Sequence, residues 1–391
     1  MLVPLSYNLR SLFVRRSATL LTVLSVGATV AVVAGVLALQ QGFASLYAEN
    51  GREDLVVFLR PGATNEGDSV FARDRGLKLI KSLQEIATDE RGLPLAGMEC
   101  YLAIRRYRVG GSGREETNVP IRGVQPATFA LRGEQLRLVE GRMFEPGSDE
   151  VIVGSKLPGR IQSCSLGDVL TLNTTPFRVV GVFECEGPFA SEIWGDLERM
   201  LDALERYGPN RVLARLVTGV DLAAFNERLA QEREVPAEVM TEREYLTAQT
   251  RVLSQVLVFL GGFLGVCMGI GAVFAATNTM LAAIAARTHE IGILKASGYR
   301  PLPILFSFLF EATLLGLLGG VVGCGLSLLL NGVQTGTTNF QTFTEVAFAF
   351  RVTPQVLVVS VLFSLLLGIA GGAWPAWRAA QMTPTEALRR R

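Results

Sequence analysis

Residues 252–286 read VLSQVLVFLGGFLGVCMGIGAVFAATNTMLAAIAA and contain no charged side chain. Because about 20 helical residues cross the apolar core of a bilayer, this run predicts a transmembrane helix over 252–283. Three other apolar blocks predict further transmembrane helices over 17–41, 301–331 and 352–377. A cleaved signal peptide is the alternative for the first block, but that block is too long for a signal core and no small-residue cleavage site follows it.

The composition agrees with a membrane protein. Hydrophobic residues make up 49% of the 391 residues, charged residues make up 19%, and the mean hydropathy is +0.35. A soluble domain usually carries about a quarter charged residues. The single histidine, His289, argues against a histidine-based metal cluster and against a Ser-His-Asp triad. We therefore expect no catalytic residues, no metal site and no nucleic-acid partner.

Basic residues beside the apolar blocks predict the orientation of the chain, since loops rich in lysine and arginine stay in the cytoplasm. They precede the first block, join the second to the third and follow the fourth: Arg10, Arg15, Arg16, Arg287, Lys295, Arg300, Arg378 and residues 389–391. This predicts cytoplasmic termini, with residues 42–251 and the short loop 332–351 on the outer side. Residues 1–16 have the pattern of an amphipathic helix on the membrane surface, and residues 378–391 form a cytoplasmic tail.

Small residues recur at helical spacing within the blocks, which predicts close contacts between helices. They include Gly261, Gly265 and Gly269 in the second block and Gly316 and Gly320 in the third. Packing inside one bundle and an interface between two copies both fit this pattern. Glu311 is the one carboxylate inside a block. Because a charge is costly in lipid, we expect Glu311 to face protein, water or the headgroups near the cytoplasmic side.

The segment 42–251 is long enough to fold around a core of its own. Alternating apolar residues predict strands at 54–59, 150–153, 169–172 and 177–183, and helical periodicity appears at 74–87, 195–207 and 222–233. We expect an α+β domain of two lobes, inserted between the first and second transmembrane helices and reached by helical stalks. Cys164 and Cys185 in this domain either form a disulfide, if the compartment is oxidising, or remain buried thiols.

Residues 284–300 join the second and third blocks on the predicted cytoplasmic side. Their sequence includes Arg287-Thr-His-Glu-Ile-Gly-Ile-Leu-Lys295. Ile291 and Leu294 fall on one side of a short helix, while Arg287, His289 and Glu290 offer polar contacts. This pattern is typical of a helix that docks into a groove on another protein. An ordinary interfacial turn between two spans has the same pattern.

The segment resembles the loop of MacB/FtsX-type ABC transporter permeases, in which Arg-Thr-x-Glu-Ile-Gly-Ile-Leu-Lys/Arg-Ala-x-Gly leads into a span with a Glu-Ala pair, here Glu311-Ala312. Similarity to this family extends over most of the chain, including motifs of the MacB-like periplasmic core domain, at residues 8–22, 119–124, 138–142, 149–155, 166–168, 177–183 and 375–389. Two features depart from the family pattern. Ala286 stands where many members have glutamate, and residues 60–118 match no motif.

The resemblance implies a permease subunit of the bacterial inner membrane that transmits ATP-driven motion to its outer domain. It implies export or extraction of a lipid, lipoprotein, peptide or drug. Two partner ATPase subunits, carrying ATP and Mg, would each bind a coupling helix formed by Arg287, Thr288, His289, Glu290, Ile291, Gly292, Leu294 and Lys295. A second copy of the chain or a paralogue would complete the membrane part, and a periplasmic adaptor and an outer-membrane component would be further partners.

No G-x-x-x-x-G-K-[ST] motif, which binds nucleotide phosphates, occurs in the sequence. We therefore expect ATP to be hydrolysed by a partner and no cofactor to be bound by this chain. Two other functions remain open: an FtsX-like regulator that activates a cell-wall hydrolase without transport, and a membrane-anchored receptor or scaffold without an ATPase. The core-domain motifs favour transport over the regulator.

Overall fold

The computed structural model describes residues 16–48, 50–110, 115–338 and 345–385. The predicted surface helix lies outside these ranges except for Arg16, and so does the end of the predicted tail. The chain divides into two compact units. One, the helical unit, comprises residues 1–42, 255–333 and 349–391, and the other, the outer domain, comprises residues 43–254 and 334–348.

Nine α-helices are named here in chain order. They are α1 (Arg16–Ala48), α2 (Arg73–Ser82), α3 (Pro126–Arg132), α4 (Leu197–Ala203), α5 (Leu222–Gln231), α6 (Glu242–Ala286), α7 (Thr288–Ala296), α8 (Pro301–Leu328) and α9 (Pro354–Gln381). Four of them, α1, α6, α8 and α9, are long and apolar enough to cross a membrane. This confirms the prediction of four transmembrane helices with a large domain between the first and the second.

Helices α1 and α6 extend well past the predicted spans. α1 continues to Ala48, and α6 begins at Glu242 rather than at residue 252. No proline or glycine interrupts residues 242–254, so helical hydrogen bonding continues through the polar stretch. The predicted helical stalks are therefore present.

Glycines on α8 allow the closest helix contacts in the helical unit. A Cβ atom on Gly316 would lie 2.6 Å from the carbonyl oxygen of Ser364 on α9, and one on Gly320 would lie 2.2 Å from the Ser364 hydroxyl. On α6, the three predicted glycines face side chains of α1 and α9: Gly261 faces Val36, Gly265 faces Val33, and Gly269 faces Leu367. These contacts are packing within one bundle, which is one of the two interpretations that the sequence left open.

Strands β1 to β10 of the outer domain form one mixed sheet. They are β1 (Leu55–Leu59), β2 (Ala96–Tyr107), β3 (Glu116–Val124), β4 (Leu136–Gly141), β5 (Glu150–Gly154), β6 (Val169–Leu172), β7 (Thr175–Cys185), β8 (Ile193–Asp196), β9 (Arg211–Arg215) and β10 (Glu238–Thr241). Their order is β10-β1-β9-β2-β3-β8-β5-β7-β4, and β6 also pairs with β7. The pairs β3·β8 and β5·β7 are parallel. Because β3 pairs with β2 on one side and with β8 on the other, it joins the two halves of the sheet, and the prediction of two lobes is wrong.

The four predicted strands correspond to β1, β5, β6 and β7, and the three predicted helices correspond to shorter α2, α4 and α5. α2 ends at Ser82 because the following residues pair with the sheet: the Ala87 N–H donates to the Arg215 carbonyl at 2.8 Å. α4 begins only at Leu197, since Asp196 ends β8 and its carboxylate accepts from the Arg199 N–H. Local periodicity located these elements, and neighbouring strands set their ends.

Residues 334–348 belong to the outer domain. Two strands in this part of the chain, β11 (Gln334–Thr338) and β12 (Glu345–Ala349), pair with each other. The Lys156 ammonium donates to the Ala347 carbonyl at 3.0 Å. The ring of Phe348 meets Phe43, near the carboxyl end of α1, edge to face at 5.4 Å. Segments 43–254 and 334–348 thus share one compact unit.

Candidate functional site

Residues 284–300 form the end of α6, the short helix α7 and a turn. The backbone of Arg287 is not helical, with φ −112° and ψ 14°, and this residue separates α6 from α7. Gly298 has φ +88°, a conformation that favours glycine, and it follows the end of α7. The result is a nine-residue helix whose two sides have different surroundings.

One side of α7 packs inside the helical unit. Ile291 is 2% exposed and joins an apolar cluster with Met280, Ile304 and Phe308. Thr288 and Gly292 are also buried, and the Thr288 hydroxyl donates to the Ala285 carbonyl at 2.9 Å. Ile291 is therefore covered by the chain's own helices and does not contact another protein. That α7 binds another protein through its other side stays a prediction.

A buried ion pair links the start of α7 to α8. Arg287 Nη1 donates to Glu311 Oε2 at 3.1 Å, and the two residues are 8% and 3% exposed. The expectation that Glu311 faces protein is confirmed. Arg287 was predicted to offer its charge to a partner, but its burial against Glu311 places it inside the bundle instead.

Lys295 fixes the other end of α7 to α9. Its ammonium donates to the Ala380 carbonyl at 2.6 Å and to the Met382 carbonyl. These carbonyls lie at the carboxyl end of α9, where helical hydrogen bonds run out and a cation is favoured. Arg287 and Lys295 therefore hold α7 in place at both ends.

The opposite side of α7 is exposed. His289 and Glu290 are exposed, and Ile293 is 51% exposed. Of the eight predicted coupling residues, only His289 and Glu290 present exposed polar groups. This face could bind a partner without disturbing the packing beneath it.

The outer domain contains a buried ionic cluster that was not predicted from the sequence, formed by Glu66, Glu99, Arg122, Glu192 and Arg211. Arg122 contacts Glu66 at 2.5 Å, Glu99 at 3.0 Å and Glu192 at 2.7 Å. Arg211 contacts Glu66 at 3.1 Å and Glu99 at 2.6 Å. Burial alone would raise the pKa of Glu99, but the guanidinium groups of Arg211 and Arg122 outweigh it and lower that pKa to about 2. The same two guanidinium groups lower the pKa of Glu66, so Glu66 and Glu99 are charged at neutral pH.

Single charged residues inside apolar strands were the signal for this cluster. Glu99 interrupts β2, Arg122 interrupts β3, and Arg211 begins β9. Glu99 lies directly opposite Arg211, and Arg122 lies opposite Trp194 in the sheet. A buried charge requires a charged partner, but only the strand register shows which one.

Cys164 and Cys185 are both buried free thiols in the structure, which is the second of the two alternatives left open by the sequence. Cys164 lies in the apolar core, whereas Cys185 ends β7 opposite Leu136 of β4. Burial raises the pKa of Cys164 to about 11 and that of Cys185 to about 12. Both thiols stay protonated at neutral pH, and the thiolate is the reactive form.

We expect Cys100, Cys164 and Cys185 to resist a hydrophilic maleimide at pH 7 in the folded chain and to react once the chain is unfolded in denaturant, because all three are buried. Mass spectrometry of the labelled peptides measures this. A cysteine placed at the exposed Val139 serves as the reactive control. A cross-linked peptide joining Cys164 to Cys185 in a non-reducing digest would contradict the assignment.

Comparisons with known proteins agree with both units. The FtsX-like permease C-terminal family matches residues 262–384, and the MacB-like periplasmic core domain matches residues 19–232. The chain is 26% identical over 292 residues to the uncharacterized ABC transporter permease YknZ of Bacillus subtilis (strain 168), a match that covers 70% of this chain and 71% of that protein.

Two further similarities are to MacB proteins. The chain is 30% identical over 292 residues to the macrolide export ATP-binding/permease protein MacB 1 of Aeromonas hydrophila subsp. hydrophila, over 69% of this chain and 43% of that protein. It thus spans less than half of that relative. The crystal structure of the periplasmic region of MacB from Actinobacillus actinomycetemcomitans aligns with 11% identity and a TM-score of 0.36, over 54% of this chain and 94% of that one.

Proposed function

The chain belongs to the MacB/FtsX-type ABC transporter permeases, and from this premise we propose that it passes the ATP-driven motion of an ATPase to its outer domain. The ATPase binds the exposed side of α7 on the cytoplasmic face. The outer domain lies on the opposite face of the membrane and moves in response. The cargo is extracted from the outer leaflet or the periplasm as a lipid, lipoprotein, peptide or drug.

The observation that carries this proposal is the division of α7 into two sides. Its buried side is held by an ion pair to α8, by apolar packing and by a lysine contact to α9. A force on the exposed side would therefore move the helices beneath it. A loosely attached loop would absorb the same force without moving them.

Continuous helices support a mechanical route between the two units. α1 and α6 are each one unbroken helix, and each has residues in both units. A helix resists bending because its backbone hydrogen bonds must break to kink it. Two such helices can carry motion across a membrane without opening a path for solute.

The remaining partners follow from the same proposal. In the predicted orientation the termini lie in the cytoplasm. There, one ATPase subunit binds each of two permease copies. The second copy is identical or a paralogue, and a periplasmic adaptor and an outer-membrane component receive the cargo. The name of the Aeromonas relative joins ATP binding to the permease, which supports an ATPase as the partner here.

Glu290→Lys should leave the chain folded and lower the ATP turnover stimulated by the permease by about tenfold or more, because reversing a charge at an interface costs several kcal/mol. The measurement is ATPase activity of the complex purified with its ATPase from native membranes. Glu227→Lys, an equally exposed glutamate on α5 of the outer domain, is the matched control. Equal stimulation in the two variants would rule out the exposed side of α7 as the docking surface.

A further inference from the structure

The first turn of α6 is held in the outer domain by a buried ion pair. Glu242 begins α6, is 0% exposed, and its carboxylate accepts from Arg132 Nη2 at 2.7 Å. Arg132 ends α3, is 1% exposed, and its guanidinium lies 3.9 Å from the centroid of the Phe189 ring. The position of Glu242 at a helix amino terminus adds to the attraction, because the helix dipole favours an anion there.

A second contact on the same turn connects α6 to the ionic cluster. The backbone N–H of Glu66 donates to the Tyr245 hydroxyl at 3.2 Å, and Tyr245 is 2% exposed. The Arg211 guanidinium lies 5.9 Å from the centroid of the Tyr245 ring. The first turn of α6 is therefore fixed by directional contacts at two points.

The same end of α3 also holds the chain where it leaves α1. Arg52 Nη1 donates to the Leu131 carbonyl at 3.1 Å, and the Arg243 N–H donates to the Arg52 carbonyl at 3.2 Å. We call the set Arg52, Leu131, Arg132 and Glu242 the α3 joint. The exit from α1 and the entry into α6 meet at this joint.

The chemistry of the α3 joint differs from ordinary apolar packing. Apolar contacts are non-directional, so two apolar surfaces can slide past each other at little cost. Separating a buried ion pair leaves each charge unpaired in an apolar interior, which is strongly unfavourable. An ion pair of this kind adds little to net stability, but it specifies one arrangement of the groups around it.

We propose that the α3 joint makes the outer domain and the outer end of α6 one rigid body, with Arg132 as a positioning residue for the transmission of motion. This inference rests on the proposed function. It predicts that bending during the transport cycle takes place elsewhere than at residue 242. It also predicts that loss of the ion pair uncouples the domain from α6 without unfolding either.

The test measures a distance within the outer domain by pulsed electron paramagnetic resonance on the full chain in nanodiscs. Spin labels at Glu227→Cys on α5 and Arg251→Cys on α6, both exposed, report the angle of the helix to the domain. Cys267 is replaced by serine, since it is exposed, whereas the other native cysteines are buried.

The variants are Arg132→Met and the isosteric Glu242→Gln. Glu234→Gln, in the exposed pair with Lys78, is the matched control.

We expect a narrow distance distribution in the parent and in the control, and one about twofold broader in Glu242→Gln and Arg132→Met, since an unpaired buried charge favours alternative arrangements. Arg132→Lys keeps the charge and should remain close to the parent. If Arg132→Met does not accumulate, Glu242→Gln alone decides the question. Distributions of equal width in Glu242→Gln and the control would overturn the proposal.

A second measurement separates this inference from the proposed function. Labels at Glu227→Cys alone, one in each copy, report whether the outer domains move when the ATPase complex binds ATP and vanadate. We expect a shift in the parent and in Arg132→Lys, and its loss in Glu242→Gln. A parent without any shift would count against the proposed function, whereas a shift that persists fully in Glu242→Gln would overturn only the role of the joint.

Discussion

Arg122→Met is expected to prevent stable folding of the outer domain. Arg122 is 1% exposed and pairs with Glu66, Glu99 and Glu192, so its removal leaves three buried carboxylates with too little positive charge. Breaking one buried ion pair costs about 3–5 kcal/mol, which is comparable to the whole stability of many domains. The measurement is the yield and thermal unfolding of the chain in detergent.

An exposed ion pair supplies the matched control. Arg137 pairs with Glu184 at 3.2 Å, but the two side chains are 76% and 58% exposed. Such pairs contribute about 0–1 kcal/mol, so Arg137→Met should unfold within a few degrees of the parent. Similar melting curves for Arg122→Met and Arg137→Met would show that the buried cluster does not stabilise the domain.

The pH dependence of folding stability has opposite signs in the parent and in Arg122→Met. In the parent, the folded pKa values of Glu66 and Glu99 lie below their unfolded values. Their stabilising contribution is therefore present above about pH 4.5 and is lost as the pH falls towards about 2. In Arg122→Met, burial raises the pKa values of the carboxylates that Arg122 neutralised, and Arg211 offsets this only in part, at Glu66 and Glu99. The folded fraction of this variant should instead increase as the pH is lowered from 7 towards 5.

Transmembrane helices and strands were predictable because their signals are local in sequence. An apolar run such as 252–286 carries its own evidence of a span, and alternation in 169–172 marks a strand whatever its neighbours are. The ionic cluster was not predictable, since Glu66, Arg122 and Arg211 lie far apart in the chain. Only the register of the sheet, which sets Glu99 opposite Arg211, brings these charges together.

The segment around α7 shows why a pattern can be recognised and its partner misassigned. Ile291 and Leu294 fall on one side of a helix both in a docking helix and in a helix packed on its own bundle. Periodicity reports that the apolar face is covered, but not by which chain. The glycines at 261, 265 and 269 raised the same ambiguity, and contacts to α1 and α9 resolve it in favour of internal packing.

Glu311→Ala should release α7 from α8 and abolish coupling to the ATPase. In this variant Arg287 loses the carboxylate of Glu311 while its guanidinium stays buried. Breaking such a pair costs about 3–5 kcal/mol. Amide hydrogen exchange at residues 284–300 should become faster, and stimulated ATP turnover should fall to the unstimulated rate. Glu227→Ala, on the exposed side of α5, is the control for the loss of a glutamate.

A double variant distinguishes stability from coupling at this pair. Replacing a buried ion pair by apolar residues of similar volume is often neutral or stabilising, because the cost of desolvating two charges disappears. Arg287→Met with Glu311→Leu should therefore restore slow hydrogen exchange at residues 284–300. If α7 needs only to be anchored, stimulated ATP turnover will recover with it. Recovery of slow exchange without recovery of turnover would mean that the charges themselves take part in the switch between states.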